Sequence, residues 1–414
     1  MSYLLLKKST FSSKNLNVLH TLLNFQPKLT SNQRFLWAAI ILMLGVTLRV
    51  LLPLRGFNYD IESWKIAADI LIQKGNVYGE TGRYNYGPIW FHILHWLDTF
   101  PGTGIAEFVS FRWKVAVFLT AVDAAIFLIL LLHFNLVVAA LFFLSPVSII
   151  ITGYHSQMDN LAVLFGLLAM QCMNQRAKIG LWPTLLLLGI SLSTKHLLFF
   201  FPLWLAFKEQ RWSRKILIIA VPYILFLSLF IPYWNLGQSG IINNVFLYRS
   251  VNNAPLWNLF LPQSFFHVVP PVILFFLSLF LLGLAWHKKP PLELYFSYLI
   301  AVVVFSSAIS NQYLAIASPA IATQWNWAYA LFTAYATVFL SVDWAGLMIG
   351  FLQRSLHWEG QNGYMPAIAL LFLGLVLSLL RSGYRPNWKH FYLWPQQFYR
   401  WLYKELRLQI QAPW

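Results

Sequence analysis

The sequence predicts an all-α polytopic membrane protein, and three observations predict it. Hydrophobic residues make up 59% of the 414 and charged ones 10%, with a mean hydropathy of +0.61; a water-facing surface cannot be assembled from that composition. The apolar residues gather in runs separated by short polar connections, and a spanning helix needs about 20 of them. Lys and Arg number 29 against 13 Asp and Glu and sit mainly in those connections, so the net charge of +16 reads as topology rather than as a nucleic-acid footprint. A single cysteine, Cys172, excludes an internal disulfide and a cysteine-based metal cluster.

Taken in order, the start MSYLLLKKST has neither the long apolar core nor the cleavage site of a secretory signal. Residues 1–34 are therefore expected to be a retained cytoplasmic arm, with Leu16 to Phe25 interfacial. The region 35–381 is the transmembrane domain. Its candidate helices are 35–54, 108–133, 135–152, 159–173, 180–194, 196–208, 215–233, 269–286, 291–308, 312–323, 325–341 and 365–381, about 12 in all. A further run, 87–100, is short, starts at Gly87-Pro88 and is expected to dip in and return. Cations at Arg34, Arg176, Lys178, Lys208, Arg211, Arg214, Lys215, Lys288 and Lys289 mark the cytoplasmic side and put both termini there. Residues 55–86 and 153–159 then face outward, as does a long connection at 234–268, of a length typical of lids and binding loops. The tail 382–414 interleaves cations with aromatics and reads as an interfacial helix on the inner leaflet.

The first outer loop carries Asp60, Glu62, Asp69 and Glu80, four of the 13 acids. From Asp60 to Lys74, Ile61, Trp64, Ala67, Ala68, Leu71 and Ile72 recur at helical spacing, opposite Glu62, Lys65, Asp69 and Gln73. This predicts an amphipathic juxtamembrane helix with Asp60 in its first turn. Capping would explain Asp60 alone; a second acid two residues on, at the mouth of the membrane, is left over. The stretch TGYHSQMDN offers His155, Gln157 and Asp159 at alternate positions, suited to a sugar or donor; the plainer reading of Asp159 is a carboxylate at a helix start. Lys195 and His196 stand between two apolar runs, and Arg249 in the long outer connection. Cations on the outer side run against the topological trend and fit an anionic group such as a lipid phosphate. Gln312 and Tyr313 end another outer loop, where Tyr is ordinary interfacial material. Asp123 is expected to be a buried structural carboxylate, with Arg112 or Lys114 as partners only if its helix is short or bent.

The order NYDIESWKIAADIL, GRYNYGPIW, a helix with Lys114 and Asp123, SPVSIIITGYHSQMDN, STKHLLFFFP and NQYL resembles the catalytic subunit of GPI mannosyltransferase I and the bacterial polyprenyl-phosphate-mannose-dependent mannosyltransferases of the GT-C superfamily. The likeness runs from about residue 35 to 320. It implies a GT-C-like fold and an inverting glycosyltransferase, a mannosyltransferase by the same resemblance, of a bacterial plasma membrane. The acidic motif of the family's first outer loop maps onto Asp60, as general base, with Glu62 beside it.

The chemistry suits these residues. A polyprenyl-phosphate sugar brings its own leaving group, so one carboxylate must take the proton of the acceptor hydroxyl while cations meet the departing phosphate. Lys195, His196 and Arg249 are expected at the phosphate, His155, Gln157 and Asp159 at the sugar, and Gln312 and Tyr313 in the substrate site. The partners are the lipid-linked donor, a lipid or glycan acceptor, and membrane lipid; a divalent metal, which Asp60 and Glu62 could coordinate, is not required. A transporter or lipid flippase predicts inverted repeats and mid-membrane charges, and a non-catalytic subunit of a glycosylation complex is the remaining class.

Overall fold

A computed structural model describes residues 29–102, 104, 106–248, 253–343, 345–356 and 363–382. Leu16 to Phe25, Arg249 and the tail beyond residue 382 lie outside them. The described residues form helices and turns and no strand. The first is α1 (Ser31–Leu51), started by a reciprocal cap: the Thr30 hydroxyl accepts from the Gln33 N–H and the Gln33 side chain accepts from the Thr30 N–H. Then come α2 (Asp60–Ile72), α3 (Val77–Glu80), α4 (Pro88–Asp98), α5 (Glu107–His133), α6 (Leu136–Phe143), α7 (Pro146–Gly153), α8 (Asp159–Asn174), α9 (Trp182–Thr194) and α10 (Phe201–Lys208). Later in the chain come α11 (Trp212–Ser228), α12 (Trp234–Gly240), α13 (Pro271–Trp286), α14 (Pro291–Val304), α15 (Tyr313–Thr323), α16 (Trp327–Val342) and α17 (Tyr364–Arg381), with short helices at Arg176–Ile179, Pro255–Phe260 and Gly350–Leu356. Proline opens α4, α7, α13 and α14, the position where its missing N–H leaves no bond unmade.

All twelve apolar runs are helical. Among the described residues, Ser31–Leu54, Glu107–His133, Trp212–Phe246 and Tyr364–Arg381 are each long and apolar enough to cross a membrane, so the chain is an integral membrane protein. Two further crossings are available as bent pairs: α6 with α7 turns by 49°, and α9 with His196–Lys208 turns by 120°. The second bend falls at Lys195, whose extended backbone (φ −151°, ψ 129°) ends α9. The run 87–100 becomes α4, 11 residues, too short for a hydrocarbon core of about 30 Å. It buries Trp90, Phe91, Leu94 and Leu97 against protein.

Three expectations change. The described residues of the connection 234–268 are largely helical, not an open loop: α11 continues through α12 to Phe246 as 35 residues of helix, about 50 Å at 1.5 Å per residue. That exceeds the membrane core, and the excess reaches the first outer loop. There the Asn76 side chain donates to Tyr233 O at 2.9 Å and the Tyr78 ring sits among Tyr84, Phe91, Phe230 and Tyr233. Second, α2 is rotated from its expected face. Ser63 and Ile70 are buried with Ile61, Trp64, Ala67 and Ala68, while Ile72 is 51% exposed, because the helix lies against α4 rather than on lipid alone. Third, Asp123 is the expected buried carboxylate, but its partner is Arg49 from α1 at 2.9 Å. Arg112 instead donates to Pro53 O and Lys114 to Phe100 O.

Helices α8 and α9 run antiparallel and position the polar groups. Asp159 opens α8, Arg176 follows its far end and pairs with Glu209, and α9 returns to Lys195. Acids and amides therefore collect at one end of the bundle, and the expected cytoplasmic cations Arg176, Lys208 and Lys289 at the other.

Candidate active site

Two aspartates begin helices at the polar end, and neither acts as a cap. Asp60 is the first residue of α2 and Asp159 of α8; the cap positions are Tyr59 and Met158, without side-chain bonds. The Asp60 carboxylate accepts from Gln157 Nε2 at 2.6 Å, joining the first outer loop to the turn before α8. Lys195 Nζ stands 2.7 Å from the Asp159 carboxylate, and this pair is almost fully enclosed, the two side chains 8% and 1% exposed. Lys195 also faces the rings of Tyr86 at 5.3 Å and Tyr313 at 5.8 Å.

Local sequence explains the convergence. A Cβ on Gly87 would stand 1.9 Å from Ser193 O, so only glycine lets the start of α4 lie against the end of α9. That contact brings Tyr86 beside Lys195. Tyr84 locks the turn by donating to Gly87 O at 2.7 Å while accepting the Phe91 N–H at 3.2 Å.

Burial raises the Asp60 carboxyl above its ordinary range; the Gln157 hydrogen bond, Lys195 and Arg83 oppose that rise, and Asp159 adds to it. A carboxylate so placed is a stronger base than one in water. Burial likewise raises the Tyr86 phenol well above its usual value, reinforced by Asp60 and Asp159, so the ring stays a neutral hydroxyl. His155 is pushed down to about 3 by burial, which keeps its imidazole uncharged.

The turn 155–160 is buried throughout, yet several of its polar atoms have no partner among the described residues: both His155 ring nitrogens, Ser156 Oγ, Gln157 Oε1 and Asn160 Oδ1. Buried polar groups are nearly always satisfied by protein, water or ligand. Five such atoms within six residues leave room for water or a polar ligand to bond there. Ser156 has a left-handed backbone, φ 52°, a conformation found at about a few per cent of non-glycine residues and enriched at functional sites.

The structure thus brings together Asp60, Gln157, Asp159, Lys195 and Tyr313, with His155 in the same turn as Gln157. His196 follows Lys195, half-buried, its Nδ1 unpartnered among the described residues. Glu62 is turned elsewhere: it lies 3.5 Å from Arg83, whose guanidinium covers the Tyr59 ring at 4.1 Å and donates to Ser63 Oγ at 3.0 Å. Gln312 occupies the cap position of α15. Sequence reasoning missed Tyr86 and Arg83, though both stand in GRYNYGP, and Asn160, which donates to Asp123 Oδ1 at 2.6 Å. An apolar groove of about 590 Å³ lies elsewhere, lined by Trp37, Leu141, Pro146 and Trp325 among others. It shares no residue with this cluster.

No protein-family model matches the chain, and no curated protein does. Among solved structures, ArnT from Cupriavidus metallidurans in the apo state is similar at 13% identity, over 85% of this chain and 78% of that one, with a TM-score of 0.48. So faint a likeness transfers neither residues nor activity.

Proposed function

We propose that the chain is an inverting glycosyltransferase of the GT-C type, moving a sugar from a polyprenyl-phosphate donor to a lipid or glycan hydroxyl on the outer side of a bacterial plasma membrane. Mannose is the donor sugar that the sequence resemblance favours. The observation that carries the reading is a half-buried carboxylate of raised proton affinity, Asp60, joined through Gln157 to a buried turn of unpartnered polar atoms and lying within electrostatic reach of Lys195.

The acceptor hydroxyl gives its proton to Asp60 as its oxygen attacks the anomeric carbon. The bond from that carbon to the phosphate oxygen breaks on the opposite face, and its electron pair leaves with the polyprenyl phosphate. Lys195 meets that phosphate, oriented by Asp159, with His196 and Arg249 assisting. His155 and Gln157 hold sugar hydroxyls, a neutral imidazole serving as donor on one nitrogen and acceptor on the other. Tyr313, with Tyr86, forms an aromatic wall. Glu62 acts at one remove, fixing Arg83 at the rim.

Purified protein incubated with polyprenyl-phosphate sugars and membrane-lipid or glycan acceptors tests this. Transfer by wild type and its loss in Asp60→Asn is the expected result. Equal transfer by both removes the base, and no transfer with any donor rejects the enzyme in favour of a transporter, a flippase or a non-catalytic subunit.

A further inference from the structure

We infer that Asn58 and Asp343 are positioning residues for Asp60, acting through one continuous chain of hydrogen bonds; this rests on the role just proposed for Asp60. With no side-chain cap at Tyr59, the first backbone N–H of α2, that of Asp60 itself, donates to Asn58 Oδ1 at 2.9 Å. Asn58 Nδ2 donates to Ala345 O at 3.1 Å. The Ala345 N–H donates to Asp343 Oδ2 at 3.0 Å, and the same oxygen accepts from Asn311 Nδ2 at 2.7 Å. Asn311, 3% exposed, spends its own oxygen on the Tyr364 hydroxyl at 2.7 Å. Two residues beyond Asn311 stands Tyr313, against Lys195. One end of this chain holds the backbone of the proposed base, and the other ends at Asn311, two residues before Tyr313.

The anchor is held by backbone hydrogen bonds. The turn after α16 is closed by the Gly346 N–H on Asp343 O at 2.9 Å and the Leu347 N–H on Leu340 O at 2.9 Å. A Cβ on Gly346 would come within 2.1 Å of Leu340 O, so a larger residue would force the turn open. Met348 follows at φ 52°. A loop shaped this tightly, gripping a residue 287 positions earlier in the chain, fixes where the first outer loop enters α2. A displacement of about 1 Å at a reacting group can slow an enzyme about 100-fold.

The test uses the full-length protein in detergent or nanodiscs, with three single variants, one double variant and two readouts. Asn58→Ala and Asp343→Ala should each lower kcat about 10- to 100-fold with KM for the donor little changed. Asp343→Asn, which keeps an oxygen able to accept from the Ala345 N–H, should stay close to wild type. Asn58→Ala combined with Asp343→Ala should be no worse than either alone, since both cut the same chain. Hydrogen–deuterium exchange should show faster exchange of the first amides of α2 in both alanine variants, with α8 and α9 unchanged. Exchange that is unchanged at α2 overturns the brace. Faster exchange with unaltered turnover overturns the positioning role, and an inactive Asp343→Asn makes Asp343 an acid–base group instead. If wild type transfers no sugar at all, the reading of Asp60 has failed, while the exchange experiment still decides whether the brace exists.

Discussion

Asp123 is a fully buried carboxylate of this bundle and Asp60 a half-buried one, and they are surrounded in opposite ways. Asp123 is saturated: Arg49 Nε at 2.9 Å, Thr152 Oγ1 at 2.7 Å and Asn160 Nδ2 at 2.6 Å all donate to it. Arg49 in turn donates to Ser148 Oγ, Phe143 O and Gly45 O and covers the Phe143 ring at 4.4 Å. Among the described residues, Asp60 receives one side-chain hydrogen bond, from an uncharged amide, and its proton affinity is raised. A carboxylate fully matched by a buried cation ties helices together; one left short of donors at the edge of a polar turn is available for a proton.

Exchanging each oxygen for nitrogen separates these roles. Asp60→Asn should reduce transfer by about 10² to 10⁴, measured with saturating donor, while its melting temperature holds or rises because a half-buried carboxylate with raised proton affinity disfavours the ionised fold. Asp123→Asn should do the reverse: it leaves Arg49 buried without its counter-charge, a loss of about 3–5 kcal/mol readable as reduced thermal stability, with turnover per folded molecule retained. Replacing both, as Arg49→Met with Asp123→Leu, should recover much of that stability, since an apolar pair can substitute for a buried ion pair. A double variant that folds but transfers no sugar would show that the Asp123 node does more than hold helices.

Titration sharpens the contrast. The proposed base works in its ionised form, so activity should fall as pH drops through a carboxylate value above the ordinary one. Gln157→Leu removes a bond that favours the ionised form and should move that limb to higher pH. The stability sign is opposite to that of a salt-bridged acid. Below the folded value Asp60 is protonated and at ease, and its contribution is lost as pH rises through it. An acid limb that persists unmoved in Asp60→Asn would belong to another group.

The difference between the two carboxylates also explains what the sequence could disclose. Asp60 was legible because an acidic motif on an amphipathic pattern is a local signal, as are His155, Gln157 and Asp159 at alternate positions. Apolar runs fixed the helices for the same reason. The partners were not legible: Arg49 meets Asp123 across 74 residues and Asn58 meets Ala345 across 287, and no periodicity encodes pairings between distant helices. Lys195 was found by its breach of the charge trend, but its pairing with Asp159 required α8 and α9 to be antiparallel. The 234–268 region misled because Asn, Gly and Gln in WNLGQSG read as a connection, whereas contact with Asn76 and Tyr78 holds it helical.

The smallest expected effect concerns Glu62, the acid two residues from Asp60. Its carboxylate is 39% exposed and 3.5 Å from a guanidinium that is 32% exposed, and ion pairs this open are worth about 0–1 kcal/mol. Glu62→Gln keeps a hydrogen-bonding group for Arg83 and leaves the Asp60 to Gln157 contact untouched. Turnover should therefore change by less than about fivefold, the equivalent of 1 kcal/mol, and the acid limb should stay in place. A loss as large as that of Asp60→Asn would mean that the two acids act as a coupled pair, and that the contrast between a lone under-coordinated base and a saturated structural carboxylate is drawn around the wrong group.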